Sequence, residues 1–262
     1  MTHDLALIGF GEAGATFAGA AGWGRRACAW DIAPARKAVM ERLAVHHAAD
    51  PREALSGAPL VLSLVTADQA LEAAKAYAPL LSPAAIWCDM NSVAPETKRA
   101  AAMIVEGTGA RYVDVAVLAP VEPARLAVPL LVSGPEANAA ADALAAAGFT
   151  NRRVVGDEVG RASAIKMIRS IMVKGIEALT DEMMDAATQA GVAEEVLASL
   201  DASEKPRSWG ERATYNLGRM RAHGIRRAAE MDEAALTLQA LGIEPLMTRA
   251  AARRQREAGG RA

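Results

Sequence analysis

The chain has 262 residues, 62 of them alanine, with 29 Lys and Arg against 31 Asp and Glu and a formal charge of −2. That balance and a pI near 6.1 argue against nucleic acid as the main partner, which needs a basic face. A hydrophobic share of 52% with 23% charged residues excludes general disorder, and the length is enough to bury a sizeable core.

Taken in chain order, the first half alternates apolar strand-like runs with helical stretches. Strands are predicted at 5–9, 27–31, 60–65, 85–89, 112–117, 130–133 and 153–155, and helices at 13–22, 34–43, 68–77, 95–106 and 136–147. Continuously apolar strands separated by helices predict an α/β domain, doubly wound, with a mostly parallel sheet covered on both faces. After Gly156 only helical periodicity remains. A long helix is predicted over 159–190, where Ile165, Ile168, Met172, Ile176, Leu179 and Met183 recur at three- and four-residue steps, with Gly191 ending it. Shorter helices follow at 193–200, 208–221, 225–241 and 245–255, and the basic tail 249–262 reads as a solvated helix end. The division is therefore a nucleotide-type domain over 1–156 and an all-helical domain over 157–262, packed together because no Gly/Ser linker separates them.

No apolar run approaches the roughly 18 residues of a membrane span. The start lacks a basic n-region, so no secretory leader is expected and the setting is read as cytoplasmic. Cys28 and Cys88 sit in apolar strand runs and read as buried thiols. Two cysteines and four scattered histidines show no zinc spacing, so no metal is expected.

The strongest motif is Gly9-Phe10-Gly11-Glu12-Ala13-Gly14. It follows a strand, opens a helix, and is answered by Asp31 at the end of the next strand, 22 residues after Gly9. This is the dinucleotide fingerprint: Gly9 for the tight turn, Gly11 for close approach of a pyrophosphate, Gly14 for helix–strand packing, and helix N-terminal amides for the phosphates. Asp31 can accept both ribose hydroxyls of NAD and would repel the 2′-phosphate of NADP, so NAD is preferred over NADP, although Arg25, Arg26 and Arg36 lie close in sequence. A glycine turn without nucleotide, or a methyltransferase, are the competing readings of this motif alone.

The remaining motifs resemble the β-hydroxyacid dehydrogenase family, the group related to 3-hydroxyisobutyrate and 6-phosphogluconate dehydrogenases, in a branch with an all-helical C-terminal domain. Asp89-Met90-Asn91-Ser92-Val93-Ala94-Pro95 resembles the family segment that contacts the nicotinamide side and the substrate; helix capping by Asn91 or Ser92 is the alternative. Gly160 to Ser170 resembles the family's catalytic helix, with Lys166 in the place of its lysine. The resemblance implies that Lys166 exchanges the hydroxyl proton as hydride moves, and its apolar neighbours predict a desolvated, lowered pKa. Ser170 stands where the family has asparagine. Arg169 suits either a substrate carboxylate or a surface salt bridge. The family's serine and glycines that receive the carboxylate are replaced by Leu118-Ala119-Pro120, which weakens the case for a small 3-hydroxy acid.

The resemblance implies an NAD-dependent oxidoreductase of a small, acidic hydroxy compound. In it Lys166, Ser92 and Ser170 are catalytic, Val65, Thr66 and Asn91 are near the nicotinamide, and Leu118, Arg169 and His223 are candidate substrate contacts. Glu182, on the same long helix, reads as structural, and His223 as either a proton relay or a partly buried histidine at a helix start. Long helical faces in the second domain suggest a homodimer. An imine reductase-like enzyme, whose relatives usually lack the lysine, and a non-catalytic NAD-binding sensor are the alternatives.

Overall fold

The computed structural model describes residues 3–260; Met1-Thr2 and the last two residues of the basic tail lie outside that range. Eight strands form one sheet: β1 (Leu5–Ile8), β2 (Ala27–Trp30), β3 (His46–His47), β4 (Leu60–Ser63), β5 (Ile86–Asp89), β6 (Arg111–Val117), β7 (Leu130–Ser133) and β8 (Arg152–Gly156). Their order is β3-β2-β1-β4-β5-β6-β7-β8. Every pairing is parallel except β6 with β7. The first six positions are the order of a Rossmann sheet, which reverses direction between β1 and β4 and opens a crevice there. Residues 118–129 join β6 to β7 with no α-helix, only a short 3-10 turn at Arg125–Ala127, and without a crossover helix the chain returns antiparallel.

Both faces of the sheet are apolar because successive strand residues point to opposite sides. Leu5 and Leu7 of β1 join one core cluster with Phe17, Ala137, Ala140 and Leu144. Ala6 and Ile8 join the other, with Leu55, Ala74, Ala101, Val105 and Trp87. The first face is covered by α1 (Glu12–Ala21) and α6 (Ala137–Ala146), the second by α3 (Pro51–Leu55), α4 (Ala70–Tyr77) and α5 (Pro95–Glu106). The sixth helix of this half, α2 (Arg36–Arg42), precedes the two-residue edge strand β3. Neither β3 nor α3 was expected, since two and five residues carry no readable period.

The helical part comprises α7 (Arg161–Gln189), α8 (Ala193–Ser203), α9 (Trp209–Ala240) and α10 (Leu246–Gly259). Compact packing divides the chain into residues 1–169 and 170–262, inside α7 rather than before it. One expectation is corrected: α9 is continuous through the predicted break at 221–225. Gly224 does not end a helix. A Cβ there would lie 2.2 Å from the Gln255 carbonyl oxygen and 2.8 Å from the Gly259 amide, so this glycine lets α9 touch the backbone of α10. The start of α9 is a capping box, with Ser208 and Glu211 each satisfying the other's backbone amide.

Candidate active site

The crevice is built from the turn after β1. Gly9 has φ +89°, and a Cβ on it would come within 2.5 Å of the Leu64 carbonyl oxygen, so only glycine allows the turn to close against the end of β4. Gly11 caps α1, and the space a Cβ would occupy there is open. The Phe10 amide donates to Asp31 Oδ2 at 2.6 Å and the Ala33 amide to Asp31 Oδ1 at 2.8 Å. Two backbone donors thus hold the Asp31 carboxylate at the mouth of the glycine turn. Phe10 acts through its backbone only; its side chain is fully buried in the core. A groove of about 290 Å³ runs from Trp30 and Asp31 past Gly9 to Leu64, Val65 and Thr66.

A second cleft, about 430 Å³, shares Leu64 and Val65 with that groove and continues along Glu12, Ala13, Asn91, Ser92 and Lys166. Lys166 Nζ donates a hydrogen bond to Ser92 Oγ. The cap of α5 is Ala94, with no side-chain capping bond, so Ser92 faces the lysine rather than closing the helix. Lys166 is half-buried, while the flanking Ile165 and Ile168 are 37% and 68% exposed. The expected apolar enclosure of the lysine by its sequence neighbours is therefore corrected: those side chains point out along α7, and polar contact places the amine.

Behind the cleft lies a buried charge network that sequence reasoning missed. Lys98 of α5 is completely buried, its Nζ 2.6 Å from the Asp89 carbonyl, 2.9 Å from Asp89 Oδ1 and 3.4 Å from Asp114 Oδ1. Asp89 also accepts from the Tyr112 hydroxyl at 2.6 Å and from the Asn91 backbone amide at 3.0 Å. Burial, reinforced by the Asp89 charge, pushes the Tyr112 hydroxyl well above its ordinary value and keeps it a donor. Burial likewise raises the Cys88 thiol to about 12, with Asp89 adding to the shift and Lys98 opposing it.

Asn91 Nδ2 donates to Ser63 Oγ at 3.0 Å and to Asp89 Oδ1 at 2.8 Å. Because a carboxylate only accepts, these bonds fix the amide orientation. They leave Asn91 Oδ1 as a buried acceptor with no partner among the described residues. On the other side, Asp114 accepts from the Ser163 amide and hydroxyl at 2.9 and 2.6 Å, and Ser133 Oγ accepts from the Ala162 amide at 2.9 Å. A carboxylate is favoured at a helix N-terminus. The first turn of α7, which leads into Lys166, is thereby tied to β6 and β7. A signal for Lys98 did exist in the sequence: with Ala101, Ala102 and Val105 it occupies the buried stripe of α5, where a cation needs partners.

Residues 4–154 match the family model described as the NAD binding domain of 6-phosphogluconate dehydrogenase. The chain belongs to the 6-phosphogluconate dehydrogenase-like family of NAD(P)-dependent oxidoreductases. Residues 187–258 match a domain of unknown function, DUF1932. A conserved hypothetical protein from Sinorhizobium meliloti is 38% identical, covering 99% of this chain and 89% of that one, with a TM-score of 0.64. A conserved protein whose structure is reported as similar to 3-hydroxyacid dehydrogenases is 30% identical, covering 98% and 96%, with a TM-score of 0.63. An imine reductase from Myxococcus stipitatus, in complex with NADP+, is 17% identical over 98% and 94% with a TM-score of 0.80, a likeness of fold. A curated Methanothermus fervidus protein of 28.5 kDa is 29% identical over 64% of this chain, and the match spans 63% of that relative's length.

Within this family frame the other sequence candidates fall in different places. Arg169 is exposed and donates to the Leu118 carbonyl at 3.1 Å. The Leu118 amide is occupied by the Pro129 carbonyl at 2.9 Å, and Ala119 and Pro120 line the cleft without a hydroxyl. Ser170 follows Lys166 by one turn of α7 and is the first residue of the second unit. His223 lies exposed inside α9, so its reading as a partly buried helix start is corrected. Glu182 accepts from the Met247 amide at 2.7 Å and from the Thr248 amide and hydroxyl at 2.8 and 2.6 Å, which caps the start of α10. Burial works to raise its pKa, but these donors outweigh burial and hold it below the ordinary value. Among the described residues no helix is long and apolar enough to cross a membrane.

Proposed function

We propose that this chain is an NAD-dependent oxidoreductase acting between a hydroxyl and a carbonyl carbon of a small, acidic hydroxy compound, with Lys166 as general acid and base. The observation that carries this reading is the Lys166–Ser92 pair, set in a cleft that shares Leu64 and Val65 with the fingerprint groove. The residues suit a dinucleotide. Gly11 leaves open backbone at the α1 N-terminus for phosphates, Asp31 offers its remaining lone pairs to ribose hydroxyls, and Asn91 Oδ1 is an acceptor waiting for an amide donor. When bound, the nicotinamide supplies hydride transfer.

This chain's own residues manage the proton. In the reductive direction the Lys166 ammonium gives a proton to the carbonyl oxygen, and in the oxidative direction the neutral amine takes it from the hydroxyl. Ser92 holds the amine and, with Ser170 one turn further along α7, orients the oxygen. Asp31 disfavours a 2′-phosphate, hence NAD over NADP. Val65 and Thr66 border the nicotinamide side. Arg169, whose guanidinium donates to the Leu118 carbonyl, is the candidate cation for a substrate carboxylate.

Imine reduction is the second reading, favoured by one observation: neither Leu118 nor Pro120 presents an amide to a carboxylate. A homodimer through α7 fits the exposure of Ile168, Ile171, Met172, Ile176 and Leu179 along that helix, an apolar stripe uncommon on a monomer's surface. A cytoplasmic setting fits the two free cysteines, Cys28 and Cys88.

Fluorescence titration with NADH and NADPH, followed by reaction with a panel of hydroxy acids, carbonyl compounds and preformed imines, tests the reading. Tighter NADH binding and turnover of a carbonyl or hydroxy compound are expected. Turnover of imines alone would move the assignment to the second reading. Binding without any turnover would identify a sensor.

A further inference from the structure

We propose that His3, Cys28 and His46 form a transition-metal site of the zinc class, with a fourth coordination position open to solvent. The site lies at the amino ends of β1–β3, opposite the fingerprint, and takes no part in the dinucleotide reading. Each of the three residues brings one ligand atom within 4.8 Å of the other two. Cys28 is fully buried in β2, and its Cα pairs with that of His46 on β3, so register places both on one side of the sheet edge. His3, just before β1, stacks on His46 with ring centroids 5.2 Å apart. The sequence hid this set because its ligands come from three different strands or their flanks rather than from one local motif.

The surroundings of the histidines make this more than proximity. His3 Nδ1 donates to the Arg25 carbonyl at 3.1 Å, and His46 Nε2 donates to Glu53 Oε1 at 2.9 Å. In these tautomers the other nitrogen of each ring keeps its lone pair for a metal. Metal-binding histidines are oriented this way, with the second ring nitrogen donating to a carbonyl or a carboxylate. Glu53 is itself held by the Ala49 amide at 2.6 Å, so its carboxylate is fixed beside the ligands. Two imidazoles and one thiolate suit zinc or cobalt, and three protein ligands leave a position for water. A groove lined by His3, His46, Asp50, Arg52, Glu53 and Ser56 opens the two histidines to solvent.

Without metal, burial and then the nearby Glu53 charge push the Cys28 thiol up to about 11. A bound divalent cation reverses that: the S–H bond breaks, the sulfur lone pair ligates the metal, and the proton leaves to solvent. No redox step is involved.

Cobalt(II) chloride, titrated into the reduced, chelator-dialysed full chain, is the probe. One bound equivalent with a near-ultraviolet thiolate-to-cobalt charge-transfer band is expected. Cys28→Ser should abolish the band, His46→Gln should weaken binding at least as much as loss of an outer partner, and Glu53→Gln should weaken it about 10–100-fold. NADH titration of the same variants should be unchanged, which confirms folding and separates this site from the dinucleotide groove. A wild-type chain that binds NADH but shows no thiolate band, or a band that survives Cys28→Ser, would overturn the proposal. Because His46 is only half-buried, His46→Gln decides the matter even if the cysteine variant misfolds.

Discussion

The two compact units of this chain handle buried polarity in opposite ways. In residues 1–169 the centre of the sheet encloses Lys98, Asp89 and Asp114, each at most 1% exposed and fully engaged. In residues 170–262 the buried positions of α9 and α10 are Gly224, Ala228, Ala235, Thr248 and Ala252, and the ion pairs of those helices are exposed. The first unit spends polar contacts on placing Asn91 and the start of α7 at fixed positions. The second relies on small residues that bring helix backbones together. The first unit thus carries a buried polar frame beneath its cleft, and the second packs its last two helices through small residues.

The largest expected effect breaks the frame. Lys98→Met strands two buried carboxylates, so unfolding of the first unit should become easier by about 3–5 kcal/mol in urea, with weakened NADH binding. An effect near zero would mean that the carboxylates find other partners and that the contrast between units is overstated. Next, Gly224→Ala forces a Cβ into the α10 backbone. Overpacking of this kind costs about 1–3 kcal/mol, and hydrogen exchange should quicken in α9 and α10 while NADH affinity stays unchanged. Smaller again, Glu182→Ala removes the acceptor for the α10 amides and should cost about 1–2 kcal/mol, read as faster exchange at Met247 and Thr248.

The pH dependence sharpens the same contrast. Glu182 has its pKa lowered by folding, so its stabilisation is complete above the ordinary carboxylate value of 4.5 and is lost as pH falls through the lower folded value. Opening of α10 should therefore rise below about pH 4.5, and Glu182→Gln should flatten that response.

What the sequence revealed, and what it hid, follows from distance along the chain. The strands and the fingerprint were legible because alternation, three glycines and Asp31 are local patterns. The Phe10–Asp31 and Ala33–Asp31 hydrogen bonds follow directly from that spacing. The predicted break at 221–225 is absent because a glycine can serve as a helix end or as a contact point, and only Gln255 and Gly259 of α10 show that Gly224 is the latter. Lys98 was overlooked because its role depends on Asp89 and Asp114, which belong to two strands, β5 and β6, away from its own helix. Ser92 reads from the sequence as either cap or site residue, because its hydrogen-bond partner Lys166 lies far along the chain. Long-range polar partners carry no periodicity, and they make up most of what the sequence left unread.

The role proposed for Lys166, held by Ser92, is to move the proton in a cleft joined to the dinucleotide groove. Its most direct test is Lys166→Ala, measured for NADH dissociation constant and for turnover on whichever carbonyl or hydroxy compound the wild-type chain accepts. Loss of general acid–base catalysis predicts turnover reduced about 10²–10⁴-fold with NADH affinity unchanged. Near-normal turnover in that variant would contradict the account.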